Sequence, residues 1–102
     1  MDPDAVFCFN DMMAIGALQV LKERGLRVPQ QIGVAGFDNI PYSSFTNPVL
    51  TTFDQPKKEL GWLAAETLLK LIDSAQKQKV VPRLEPQYLR GKLLVRESTR
   101  AS

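Results

Sequence analysis

Two side chains in this 102-residue chain have the type and position to hold a small polar ligand. Asn10 follows the apolar run 5–9, and Asp38 follows the apolar run 32–37. An amide and a carboxylate together offer donors and acceptors suited to a neutral, hydroxyl-rich or heterocyclic molecule. They offer no cradle for phosphate. Gly33 and Gly36 lack the Gly-x-Gly-x-x-Gly order and fall within a strand-like run, not in a strand-to-helix turn. The chain contains no histidine, which excludes Ser-His and Cys-His nucleophiles and the usual zinc sites within it. Cys8 is the single cysteine, so no intrachain disulfide forms, and between Phe7 and Phe9 it reads as a small buried hydrophobe. No catalytic residue, metal ligand or cofactor is therefore expected. Asp38 and Asn39 also suit a plain turn toward Pro41, and the residues alone leave both readings open.

A parallel sheet would bring the two polar side chains together. Residues 32–39 read Ile-Gly-Val-Ala-Gly-Phe-Asp-Asn, apolar at successive positions before ending in two polar residues. Such a run predicts a strand covered on both faces, since a strand with one wet face would alternate. Residues 5–9 predict a second strand, ended by Asn10 and Asp11, which can cap a following helix. That helix is expected to reach about Arg24, with Ala14, Leu18 and Leu21 on one face and Met13, Ala17 and Val20 on another. The apolar surplus, with Met12 and Ile15, fits either core or a subunit contact. Gly25 suits the left-handed position that stops a helix, Leu26 can fold back on its last turn, and Pro29 prevents a restart. Strand, helix and strand make one right-handed βαβ unit, which places Asn10 and Asp38 on the same crevice beyond the strand carboxyl ends.

Further along, 40–49 carries Pro41, Tyr42, Phe45 and Pro48 without a period and is read as a loop bordering the crevice or another subunit. Residues 50–54 favour β structure, and Gln55-Pro56 leads into a helix over 57–77, about 30 Å long. Leu60, Ala64, Leu68 and Leu71 share one side of it, Trp62 and Leu69 widen that side as core, and Glu66 pairs with Lys70. A basic connector follows over 76–83. Pro86 then permits a strand at 87–89, a turn at Arg90-Gly91, a return strand over 92–96 and a polar tail over 97–102. The length allows one domain at most and is short for a doubly wound sheet. A net charge of +2 is too small to argue for nucleic acid or an anionic membrane as a partner. No run is long enough to span a bilayer, and the acidic Met-Asp-Pro-Asp start is unlike a signal peptide, so a cytoplasmic placement is expected. The open apolar edges and the long helix predict self-association.

Five motifs in register now spell a resemblance. They are Phe-Cys-Phe-Asn-Asp-Met-Met-Ala-Ile-Gly-Ala-Leu at 7–18, Gly-Leu-Arg-Val-Pro at 25–29, Val-Ala-Gly-Phe-Asp-Asn at 34–39, Leu-Thr-Thr with Gln55-Pro56, and Val-Arg-Glu-Ser at 95–98. Together they closely resemble the C-terminal part of the effector-binding core of lactose/galactose repressor (LacI/GalR) family regulators. The resemblance implies an α/β fold, a partial three-layer parallel-sheet domain of the periplasmic-binding-protein-like, Rossmann-like kind. It assigns 1–54 to the C-terminal subdomain, 55–82 to the crossover and a long helix of the N-terminal subdomain, and 83–102 to return strands and tail. It makes Asn10 and Asp38 effector contacts and places Gln55 near the effector at the crossover. The dimer surface it implies includes Met12, Ile15, Tyr42 and Phe45. The implied partners are a sugar or nucleoside-like effector and a second copy. The family's DNA-reading helix-turn-helix matches nothing in these residues, so no DNA contact by this stretch is expected. One competing reading is part of a periplasmic sugar-binding transport protein. Another is a small α/β enzyme using Asp11 or Asp38 as base, which lacks a second catalytic group at suitable spacing.

Overall fold

The computed structural model describes residues 2–79 and 81–100. In order they form β1 (Ala5–Phe7), α1 (Asp11–Glu23), β2 (Gly33–Ala35), a 3-10 helix (Pro41–Ser44), β3 (Thr52–Asp54), α2 (Lys57–Gln78) and β4 (Lys92–Leu94). The chain divides into two compact units, one drawn from Met1–Gln55 with Gly91–Ser102, the other from Pro56–Arg90.

In the first unit β1 and β2 are parallel, with Ala5 opposite Gly33, Val6 opposite Val34 and Phe7 opposite Ala35. On the far side of β2 the chain around β3 runs alongside: Ala35 bridges Thr51 in parallel, and the Gly36 amide donates to the Thr51 carbonyl at 2.9 Å. β2 is thus flanked on both edges, and Val34 at its centre is fully buried. The expected strands are shorter than the apolar runs. The strand expected over 5–9 ends at Phe7, and Phe7 and Phe9 are exposed, because no layer among the described residues covers that face.

α1 is set by its caps. The Asn10 side chain accepts from the Met13 amide at 2.9 Å. At the other end Gly25 takes φ +74°, its amide donates to the Lys22 carbonyl, and the Leu26 amide returns to Leu21 at 2.9 Å. The face bearing Ala14 and Leu18 packs with Val34 and Leu50 as the core, joined at its margin by Cys8, Leu21 and Val28. Gly36 lets the start of α1 sit this close: a Cβ there would run into the Asp11 carboxylate and lie 3.2 Å from Ala14 Cβ.

The second half of the chain departs from expectation in three places. No strand forms at 87–89, where Tyr88 is exposed; Lys92–Leu94 instead pairs antiparallel with β3, Thr52 opposite Leu94. Three residues starting beside a donor-less Pro86 cannot compete with an open edge on β3. Of the polar tail expected over 97–102, residues 101–102 lie outside the described residues, and Ser98 and Arg100 are bonded into the first unit. The Ser98 hydroxyl donates to the Val34 carbonyl and accepts from the Thr51 amide at 2.7 Å, while the Val34 amide donates to the Ser98 carbonyl at 2.9 Å. Arg100 reaches the carbonyls of Gln30 and Asp4. Trp62, expected in a core, is two-thirds exposed.

Within the second unit α2 buries no residue. Leu60, Ala64, Leu68 and Leu71 line a shallow groove of about 310 Å³ shared with Leu84, Glu85 and Gln87. Trp62 lines a second groove together with Lys58, Glu59, Leu63 and Leu89. The Glu66–Lys70 pair forms at 3.0 Å, joined by Asp73–Lys77 at 3.3 Å.

Candidate functional site

Beyond the carboxyl ends of β1 and β2 the first unit opens into a cleft of about 660 Å³. Its lining is Phe7, Phe9, Asn10, Phe37, Asp38 and Gln55. The three residues singled out for a ligand, Asn10, Asp38 and Gln55, therefore share one wall. Asn10 spends its side-chain oxygen on the helix cap, so its NH2 group is the donor it can turn to the cleft. Asp38 is an acceptor, and the Gln55 NH2 group donates to its Oδ1 at 3.2 Å. Phe37 stacks on Phe53 with centroids 5.2 Å apart. Few polar groups over aromatic rings suit an uncharged molecule with hydroxyl or ring N–H groups on one side and an apolar face on the other.

The turn that presents Asp38 is unusual. Asp38 has φ +114° and Asn39 φ +53°, both in the region that favours glycine. Successive amides are tied down: Asp38 to the Phe53 carbonyl at 2.8 Å, Asn39 to Thr52 Oγ1 at 3.3 Å, and Ile40 to Asp11 Oδ2 at 2.9 Å. Arg96 approaches from the C-terminal segment, its Nη2 donating to Asn39 Oδ1 at 3.0 Å and its Nη1 to the buried Ser43 hydroxyl at 3.1 Å. Asp38 and Asn39 thus form a turn at the cleft edge, the two placements the sequence could not separate.

Asp11, the other carboxylate weighed as a base, does not line the cleft. It is buried, with Oδ1 accepting from the Thr52 hydroxyl at 2.6 Å and Oδ2 from Ile40. Sequence reasoning assigned it a cap and missed this anchoring; the adjacent pair of threonines at 51–52 was the available signal. It also missed Phe7 and Phe9 as lining, although alternation about Cys8 puts both rings on one face. Burial pushes the Cys8 thiol up from its ordinary value. Among the described residues no group of three or more His, Cys, Asp or Glu is arranged to hold a metal ion, and no helix is long and apolar enough to cross a membrane. Met12, Tyr42 and Phe45 are exposed on α1 and the segment after β2, and Ile15 is half-buried.

A model of the periplasmic binding protein-like domain matches residues 1–99. The chain belongs to this family. It is also homologous to LacI-family transcriptional repressors. The repressor PurR of Aliivibrio fischeri (strain MJ11) is 44% identical over 87 residues, which is 85% of this chain and 26% of that protein. The lac repressor dimer bound to operator and the anti-inducer ONPF superposes with a TM-score of 0.78 at 38% identity, over 97% of this chain and 32% of that one. The regulator CelR in complex with cellobiose superposes at 0.74 and 36% identity, over 95% and 28%. The periplasmic-binding-protein-like α/β fold with parallel strands is as the motifs implied. The chain spans about a quarter of the length of the curated repressor it matches.

Proposed function

We propose that this chain is a segment of the effector-sensing and dimerising core of a cytoplasmic LacI-type transcriptional regulator, and not an enzyme. Residues 1–54 would belong to its C-terminal subdomain, 55–82 to the crossover and a helix of the N-terminal subdomain, and 83–102 to the returning chain. The effector is an uncharged sugar or nucleoside-like molecule held by Asn10, Asp38 and Gln55 against the phenylalanine rings. The observation that carries this reading is the convergence of those three polar side chains on one aromatic cleft at parallel strand ends. Binding would favour one orientation of the two subdomains, and the orientation would decide whether paired DNA-reading domains fit their half-sites. Met12, Ile15, Tyr42 and Phe45 are proposed as part of the dimer surface, an apolar set supported by the exposure of three of them. The transport-protein reading is disfavoured because the relatives described above are named as regulators.

Calorimetric titration of the chain with D-glucose, D-ribose, cellobiose and adenosine tests the reading. Saturable binding of one compound class, lost in Asp38→Ala, is expected. Binding that survives Asp38→Ala would return Asp38 to a turn residue. In a gel-shift experiment the chain alone is expected to leave double-stranded DNA unshifted at physiological salt.

A further inference from the structure

Asp11 is a buried carboxylate that the ligand-contact assignment does not use. Its burial is costly unless its hydrogen bonds fix something, because an apolar residue of similar size would serve packing alone at least as well. What it touches defines that role. Its amide donates to the Phe37 carbonyl at 3.1 Å, one residue before Asp38. Its Oδ2 receives the Ile40 amide, and its Oδ1 receives Thr52, whose hydroxyl in turn accepts from the Asn39 amide. Asn10 precedes it in the chain, and Gln55 lies three residues beyond Thr52. One side chain thus joins the three segments that supply the polar wall. Between Phe37, bound by the Asp11 amide, and Ile40, bound by its carboxylate, sit the two consecutive left-handed residues, a conformation that persists only where the surroundings over-determine it.

We infer that Asp11 is the positioning residue of the cleft: through Ile40 and Thr52 it holds the left-handed Asp38–Asn39 turn, and so sets the direction of the Asp38 carboxylate and its bond to Gln55. This rests on the cleft being the effector site only for its consequence, since the geometry can be tested without a ligand.

Backbone amide exchange and 1H–15N spectra of the chain test it in Asp11→Asn and Thr52→Val, with Leu18→Ala as a control for general loosening. In Asp11→Asn the Asn39 and Ile40 amides are expected to exchange faster by about tenfold or more relative to Val34 and Leu50, as local opening does. The Gln55 side-chain NH2 resonances should shift in both variants at the site. In Leu18→Ala all protected amides should accelerate together while the Gln55 resonances stay in place. Asn39 and Ile40 accelerating only in step with Val34, or Gln55 resonances unmoved in Asp11→Asn, would overturn the inference. D-Ribose and adenosine serve as probes in a second arm, where Asp11→Asn should weaken whichever of them the unaltered chain binds by about tenfold. Failure of both probes to bind the unaltered chain would count against the effector reading and leave the exchange result to decide the positioning role.

Discussion

Both units expose large apolar side chains, but among the described residues only the first buries any side chain. In the first, buried Asp11, Ser43, Thr51, Thr52 and Ser98 accompany four buried hydrophobics among the described residues, Ala14, Leu18, Val34 and Leu50. In the second, α2 leaves Leu60, Trp62, Leu68, Leu69 and Ile72 in water. The first unit therefore gets its shape from hydrogen bonds between segments far apart in sequence, with a small apolar core beneath them. The second is a helix whose apolar sides have no sufficient cover among the described residues. A long amphipathic helix gets most of its stability from packing, so α2 depends on a further surface, whereas the cleft wall is already assembled.

The largest effect expected from this contrast is self-association. Covering a large side chain contributes about 1.5–3 kcal/mol, so a second copy packed on Trp62, Leu68 and Leu69 recovers several kcal/mol. Sedimentation across a wide concentration range should show a mass that grows with concentration. A cooperative folded monomer throughout would break the comparison by showing that α2 stands without cover.

Core truncation should separate the units next. Leu50→Ala removes a fully buried side chain and should cost about 2–5 kcal/mol in denaturant unfolding, whereas Ile72→Ala, at 45% exposure and outside that patch, should cost within about 1 kcal/mol. Equal losses would mean that the helix is packed as tightly as the core. Ser98→Ala tests the polar half of the argument. It strips the Thr51 amide of its buried acceptor, for an expected loss of about 1–3 kcal/mol by the same unfolding measurement. A change near zero would show that the C-terminal segment merely lies against the sheet.

The smallest effect concerns Cys8. Its thiol is pushed up by burial, so less thiolate is present in the folded chain than in the unfolded one at mildly alkaline pH, and alkylation by iodoacetamide should be slower in buffer than in denaturant. The same shift means that the folded state holds this proton more tightly. Stability should fall slightly as pH climbs past the ordinary thiol value, and Cys8→Ala should remove that slope. Equal alkylation rates would place the thiol at the surface.

Local signals were legible in the sequence where one segment decides the outcome. Asn10 as cap, Gly25 as the left-handed stop and Glu66–Lys70 as a helix pair each need only neighbours within a turn. The parallel β1–β2 pair was legible because handedness leaves little choice once strand, helix and strand follow one another. Where the outcome depends on distant partners, residue patterns alone went astray. Lys92–Leu94 took β3 and not 87–89, Ser98 went between β2 and Thr51, and Asp11 became an anchor instead of a cap, each through partners at least 29 positions away in sequence. That Asn10 and Asp38 lie beyond the strand carboxyl ends was legible because strand ends are a general feature of such sheets, but nothing local announced the left-handed turn that presents Asp38. A non-glycine pair at positive φ is visible only once Thr52, Arg96 and Asp11 are seen around it.

The most direct measurement uses Asp38→Ala in the longer regulator proposed above, with effector affinity followed by calorimetry and operator affinity by gel shift on the same preparation. The predicted result is loss of effector affinity by about a hundredfold, as for a charged hydrogen-bond partner, with operator binding unchanged in the absence of effector. Effector affinity that stays at the unaltered level while the protein remains folded would contradict the account and leave the cleft without the acceptor on which it is built.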